Sequence, residues 1–153
     1  MATPEDTAIL LDAMVGGIRS ILRMLGYDTA YVLERGIEAD DAVRTLAESE
    51  DRILLTRDES LARETTSAVL LRSKDTDEQL EELVDEGFEL SLTEPRRCAA
   101  CNGQVEEVGA DASTPDYAPD PAEEQCWRCR ECGQVFWKGS HWDDVADRLS
   151  ALV

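Results

Sequence analysis

Residues 52–58 read RILLTRD, and this short stretch decides the fold. Its first five residues form an apolar, strand-like run, and a helix-like segment begins directly after it at Glu59. A strand that is apolar on both faces is typical of a parallel sheet covered by helices. The stretch therefore predicts an α/β fold in which Asp58 follows the carboxyl end of a strand.

The same alternation of strand and helix continues on both sides of this stretch. Strand-like runs cover residues 7–13, 29–34, 52–56 and 67–71, and helical spacing covers residues 15–27, 40–49, 59 onward and 77–86. Gly26 is a suitable end for the first of these helices. The pattern predicts a parallel sheet flanked by helices on both faces and joined by right-handed crossovers.

Composition changes at Glu94, where Pro, Cys, Gly and Trp become frequent and the alternation stops. Residues 108–125 are rich in Asp, Ala and Pro and are predicted to form a loop. We therefore divide the chain into an α/β domain, 1–93, and a small domain with a C-terminal helix, 94–153. Three aromatic residues of the small domain are expected to pack against the α/β domain: Phe136, Trp137 and Trp142.

The chain is strongly acidic, with 34 Asp and Glu against 15 Lys and Arg and a net charge of -19. Such a surface stays soluble when salt screens its self-repulsion, which suggests a haloarchaeal, high-salt cytoplasm. A solvated acidic face without special meaning is the alternative. The absence of a broad basic patch argues against tight, non-specific binding of nucleic acid, and nothing favours DNA.

No apolar run is long enough for a membrane helix, and residues 1–6 do not resemble the start of a secretory signal. We therefore expect a cytoplasmic protein. The sequence gives no indication of an oligomeric state.

Two Cys-x-x-Cys hooks supply four thiolates, from Cys98, Cys101, Cys129 and Cys132. In a reducing compartment this spacing predicts a closed, structural zinc site, here in a zinc ribbon. Asn102-Gly103 and Gly133 follow the hooks, and both residue types accept a left-handed backbone.

Two further residues could have joined this site. Cys126 forms an overlapping pair with Cys129, but no permissive residue follows, so we interpret Cys126 as a spare thiol. His141, the single histidine, could be a ligand or an RNA contact, although a packing or surface role is favoured by its distance from the second hook.

Aspartates follow the predicted strands, at the edge of a parallel sheet where functional groups gather. These residues are Asp12, Asp40 or Asp41, Asp58, and Asp75 with Asp77 nearby. A group of carboxylates suits Mg²⁺ or Mn²⁺, which can support phosphodiester hydrolysis. Helix capping or surface solvation would explain Asp40, Asp41 and Asp77 equally well.

Several stretches resemble the PIN-like ribonuclease domain of the Mut-seven C-terminal family. They read LDAM (11–14), LRMLGYD (22–28), RILLTRD (52–58), QL (79–80), RCAACN (97–102), CRECG (129–133) and VFWKGSH (135–141). The resemblance implies a PIN-like α/β fold with an appended zinc ribbon and metal-dependent cleavage of RNA. It places the acidic site on Asp12, Asp40 and Asp58, with Asp75 as a fourth residue, while Asp41 could replace Asp40.

Two other functions compete with a ribonuclease. One is a non-catalytic RNA- or ribosome-associated adaptor that uses the ribbon for contact. The other is a phosphoacceptor receiver domain, since Asp12 and Asp58 both follow strands. A receiver needs a lysine after a fifth strand, whereas here the ribbon has already begun and Lys74 comes too early.

Overall fold

A computed structural model describes residues 2–152 of the 153-residue chain, and it contains the predicted four-stranded parallel sheet. The strands are β1 (Ala8–Leu11), β2 (Asp28–Tyr31), β3 (Arg52–Thr56) and β4 (Ala68–Leu70). Their order is β2-β1-β3-β4, and all three pairings are parallel. The connections change direction across β1, so the carboxyl ends of β1 and β3 flank the switch point of the sheet.

Four helices accompany this sheet: α1 (Arg19–Met24), α2 (Asp40–Ser49), α3 (Glu59–Glu64) and α4 (Thr76–Asp85). The first is shorter than predicted, because a 3-10 helix, Ala13–Ile18, with non-helical dihedral angles at Val15 precedes it. Adjacent glycines at 16 and 17 explain this break, since glycine weakens a helix interior. The second strand also ends early, at Tyr31, and a 3-10 helix, Val32–Arg35, follows.

Each face of the sheet has its own apolar core. Ile9 and Leu11 point into one core, with Leu22 of α1 and Leu80 of α4. Alternate residues point the other way, into a second core of Leu10, Ala30, Val43, Ala47, Leu54 and Leu61. The sheet is therefore covered on both faces, which accounts for the continuous apolar runs of its strands.

The remaining elements form a small antiparallel sheet and a helix. The strands β5 (Val105–Glu107), β6 (Cys126–Cys129) and β7 (Val135–Trp137) pair in that order, and α5 (Ser140–Ser150) follows. Residues 108–125 contain no helix or strand, as predicted. Helix α5 packs Val145 and Leu149 into the same core as Ile9, so the two parts of the chain share apolar packing.

In the part of the chain that the structure describes, no helix combines the length and the apolar character that crossing a membrane requires.

Candidate functional site

The four cysteines of the two hooks come together at one end of the small sheet. Their sulfur atoms all lie within 4.8 Å of one another. The Sγ atoms of Cys98 and Cys132 are 3.6 Å apart, and those of Cys101 and Cys129 are 3.5 Å apart. Cys98 and Cys129 are buried, whereas the other two are exposed. Four converging thiols could bind one tetrahedral metal ion.

The backbone of each hook turns as its sequence predicts. Asn102 and Gly133 have φ angles of +71° and +79°. The turn lets the Asn102 N–H donate to the Cys98 carbonyl oxygen at 2.8 Å, and the Gly133 N–H donate to that of Cys129 at 3.2 Å. These left-handed residues close the hooks at low conformational cost.

The thiols have unequal pKa values because their surroundings differ. Burial raises the pKa of Cys98 to about 12. Burial acts in the same direction on Cys129, but N–H groups of Cys132 and Glu131 point at its sulfur and lower its pKa to about 7. Donors aimed at sulfur favour a thiolate, the form that binds metal.

Gly103 is a residue whose role the sequence reasoning missed. Its backbone needs no left-handed angle, but a Cβ atom at this position would lie 2.8 Å from the Cys129 sulfur. Only glycine therefore leaves room for the thiol cluster, a constraint that spacing along the chain does not reveal.

Cys126 and His141 lie outside the thiol cluster. The buried Cys126 sulfur instead lies 3.4 Å from the Glu124 carbonyl oxygen. His141 is exposed in the first turn of α5.

The first hook is fastened to the parallel sheet through Asn102. Its side-chain oxygen accepts from the Thr29 N–H at 2.8 Å, and its amide donates to the Asp28 carboxylate at 2.7 Å. Arg52 donates to the same carboxylate at 2.9 Å. Burial alone would raise the pKa of Asp28, but the hydrogen bonds from Asn102 and Arg52 outweigh it and lower the pKa.

A second contact also holds the first hook. The almost fully buried Arg23 of α1 donates to the carbonyl oxygen of Ala99, which lies between the two cysteines of this hook, at 3.1 Å.

Asp12 and Asp58 lie at the switch point, on the carboxyl ends of β1 and β3. Both contact the buried Thr56: its hydroxyl donates to Asp12 Oδ2 at 2.7 Å and accepts from the Asp58 N–H at 3.0 Å. Asp58 also caps α3, accepting from the Leu61 N–H at 3.1 Å. Thr56 thus connects the two predicted residues, a role that the sequence reasoning did not assign.

The other predicted aspartates begin helices on either side of this pair. Asp75 caps α4 by accepting from the Glu78 N–H at 3.0 Å. Asp40 is the first residue of α2, where Ala39 occupies the capping position. Asp77, which was expected as a possible cap of α4, instead pairs with Arg148 at 2.6 Å.

None of the four predicted aspartates forms an ion pair with a basic residue within residues 2–152, whereas Asp28 and Asp77 do. Across the same residues, the thiol cluster is the one group of three or more metal-binding side chains close enough to share an ion. We call Asp12, Asp40, Asp58 and Asp75 the acidic edge. Its carboxylates have no basic partner among the described residues, and they do not surround a common point where an ion could be enclosed.

Arg57 lies between Thr56 and Asp58 and was not assigned a role by the sequence. Its Nε is buried and has no hydrogen-bond partner in the described part of the chain. Its Nη2 donates to the Arg72 carbonyl oxygen at 3.5 Å. A buried N–H without a partner costs free energy, so this residue carries a local cost that the sequence did not reveal.

Comparison with known proteins identifies a family whose match extends over both the acidic edge and the thiol cluster. No curated protein and no solved structure matches the chain. The family model of the Mut7-C RNAse domain matches residues 7–149, nearly the whole sequence. The chain belongs to the Mut7-C RNAse domain family.

Proposed function

We propose that this protein is a metal-dependent endoribonuclease whose reaction takes place at the edge formed by Asp12 and Asp58. The observation that carries the proposal is the arrangement of both residues on Thr56, at the switch point of a parallel sheet. Membership of an RNAse family supports RNA as the substrate. We also propose that the sheet is PIN-like and that the protein works in the cytoplasm.

The acidic edge suits a magnesium or manganese ion that keeps some of its water ligands. It does not suit an ion that must be surrounded by protein ligands. Mg²⁺ keeps several waters and is commonly bound by one or two carboxylates together with substrate phosphates. A pair such as Asp12 and Asp58, free of basic partners, meets this requirement without a third carboxylate. When bound, the metal would activate water and stabilise charge on the phosphate.

The residues around the pair have separate tasks in this proposal. The Thr56 hydroxyl holds one carboxylate oxygen of Asp12 and fixes the backbone of Asp58, so both groups keep one orientation. Asp40 and Asp75 extend the acidic edge on both sides and would bind metal-associated water.

We propose that the thiol cluster holds a structural zinc ion. It supplies four sulfur ligands and therefore leaves no open position for a reacting water. Its task is to hold the small sheet and the first hook against the parallel sheet.

The decisive experiment compares Asp58→Asn with a matched control, Asp51→Asn. Asparagine is a good helix cap, so the first variant keeps α3 capped and removes the charge. Asp51 is exposed, has a φ of +53° that asparagine tolerates, and precedes β3 at the opposite edge of the sheet.

Each protein is incubated with single-stranded and structured RNA in high KCl with Mn²⁺ or Mg²⁺. We expect Asp58→Asn to lose cleavage by about 100-fold or more, while Asp51→Asn cleaves like the wild type and both keep their zinc. Wild-type rates in an Asp12→Asn, Asp58→Asn double variant would rule the mechanism out. No cleavage by any protein, with no divalent ion bound at the acidic edge, would favour the RNA-associated adaptor.

A further inference from the structure

An aromatic cavity of about 310 Å³ lies between β7, the start of α5 and the first hook. Tyr117, Phe136, Trp137 and Trp142 supply its rings, and Arg97 and His141 supply its basic groups. We propose that this cavity holds one unpaired nucleobase of single-stranded RNA. The inference rests on the proposed function, because it takes RNA as the substrate, and it adds a binding site away from the acidic edge.

The walls of the cavity are suited to a flat aromatic ligand. Tyr117 and Trp137 face each other with centroids 6.3 Å apart and planes inclined by 27°. The Tyr117 hydroxyl accepts from the Val135 N–H at 3.0 Å, which fixes the ring, yet 52% of the residue is exposed. Single-stranded RNA commonly stacks its bases on aromatic rings that are held in place and partly exposed.

The lining of the cavity lacks the carboxylates that are frequent elsewhere in the protein. Asp and Glu make up 34 of the 153 residues, but among the described residues none lines this cavity. The single histidine and Arg97 line it, and Lys138, whose Nζ lies 5.4 Å from the Trp142 ring centroid, pairs with Glu94 at 2.9 Å. An anionic ligand therefore meets less repulsion here than at an average place on the surface.

The cavity has the size of a small-molecule site, and its mostly apolar lining includes a few hydrogen-bonding residues. A volume of about 310 Å³ is at the lower end of the range for small-molecule sites. Gln134, Ser140 and His141 are the lining residues that can form hydrogen bonds with the edge of a base.

A base site also explains how such an acidic protein could bind RNA. A chain of net charge -19 gains little from contacts with RNA phosphates, and salt weakens such contacts further. Stacking of bases on aromatic rings does not depend on net charge, so it can hold RNA where phosphate contacts cannot.

The test uses the wild-type, zinc-loaded protein in high KCl without added Mg²⁺ or Mn²⁺, so that binding is separated from cleavage. Adenosine 5′-monophosphate is titrated while tryptophan fluorescence is recorded, with ribose 5-phosphate as the probe that lacks a base. Two of the three tryptophans line the cavity, and the third, Trp127, has its ring 5.8 Å from Lys138 Nζ. The signal therefore reports on this part of the protein.

We expect saturable quenching by the nucleotide and none by ribose 5-phosphate. Tyr117→Ala should weaken nucleotide binding by about tenfold, the loss expected for one stacking ring. Tyr117→Phe keeps the ring but loses the bond to the Val135 N–H, so it should bind more tightly than Tyr117→Ala. Leu33→Ala, at an exposed residue outside the cavity, should bind like the wild type and is the control.

Three results would overturn the base site. They are an equal response to ribose 5-phosphate, no response to either probe, or binding of an apolar dye that the nucleotide does not displace. The last would indicate an apolar protein partner. RNA cleavage without nucleotide binding would remove this inference alone, whereas nucleotide binding without cleavage would remove the proposed activity alone.

Discussion

Thr56 shows how one buried hydroxyl can organise two residues that come from different strands. It follows the apolar part of β3, donates to Asp12 and accepts from the backbone of Asp58. The hydroxyl uses its single proton on Asp12, so its direction is fixed. The geometry of the acidic edge therefore depends on a residue that is itself uncharged.

Replacement of Thr56 by valine keeps the shape of the side chain and removes both hydrogen bonds. We expect Thr56→Val to lower metal-dependent cleavage by about 10- to 100-fold and to raise the Mn²⁺ concentration required, because the groups that orient a metal ligand are lost. Titration of cleavage rate against Mn²⁺ measures both effects. Thr56→Ser should retain most activity, and equal losses in the two variants would contradict the role of the hydroxyl.

Asp28 gives the stability of the protein a dependence on pH. Its pKa is lowered in the folded state, because the bonds from Asn102 and Arg52 outweigh the effect of burial. A carboxyl with a lowered folded pKa stabilises the fold above its unfolded value of about 3.9, and this stabilisation is lost as the pH falls through the folded pKa.

We expect Asp28→Asn to lower the free energy of unfolding by about 1–2 kcal/mol at neutral pH. A fully buried carboxylate would contribute more, but Asp28 is partly exposed and water screens its charge. The difference should shrink below about pH 4. Thermal unfolding of both proteins from pH 7 to pH 3 measures it. A difference that stays constant down to pH 3 would show that the charge of Asp28 does not contribute.

The sequence predicted the residues that carry a chemical group but not those that position them. The thiol cluster followed from the spacing of Cys98, Cys101, Cys129 and Cys132, since hook geometry is local. Thr56, Gly103 and Asn102 gained their roles from contacts between distant segments, which no periodicity in the chain records. Whether the four predicted aspartates act together remains a prediction.

At the scale of elements, the strands of the parallel sheet were the most predictable part of the fold. Their apolar runs reflect burial on both faces, and the expected strand 52–56 coincides with β3. The 3-10 helices were missed, because glycines at 16 and 17 interrupt a helical pattern in which the apolar spacing still continues. The packing of α5 on the core of the parallel sheet was also not visible in its sequence.

Asn102 of the first hook bonds directly to β2, so a metal ion held by the hooks would also stabilise the parallel sheet. We expect one zinc ion per chain, and its removal by a chelator should lower the unfolding temperature of the whole protein. Cys132→Ser should lose the metal, whereas Cys126→Ser, which alters a thiol outside the cluster, should keep it. Metal analysis with thermal unfolding tests this, and well under one zinc per wild-type chain would contradict it.

At the scale of the whole molecule, the net charge of -19 sets the conditions under which the fold is stable. Unscreened carboxylates repel one another in the compact state, and salt shortens the range of this repulsion to about 3 Å at 1 M. We expect the unfolding temperature to rise steadily with KCl up to molar concentrations. Thermal unfolding in a KCl series is the measurement, with sucrose as a control for general stabilisers, and a flat response would remove the high-salt interpretation.

Strand β2 is an edge of the parallel sheet, and the hook covers part of that edge: the Thr29 N–H is satisfied by Asn102. An edge strand with free backbone donors invites pairing with a second chain. We therefore expect the first hook to protect the protein from self-association. Light scattering after chelation should show aggregates that form faster with Asn102→Ala than with the wild type, and unchanged scattering would exclude this protection.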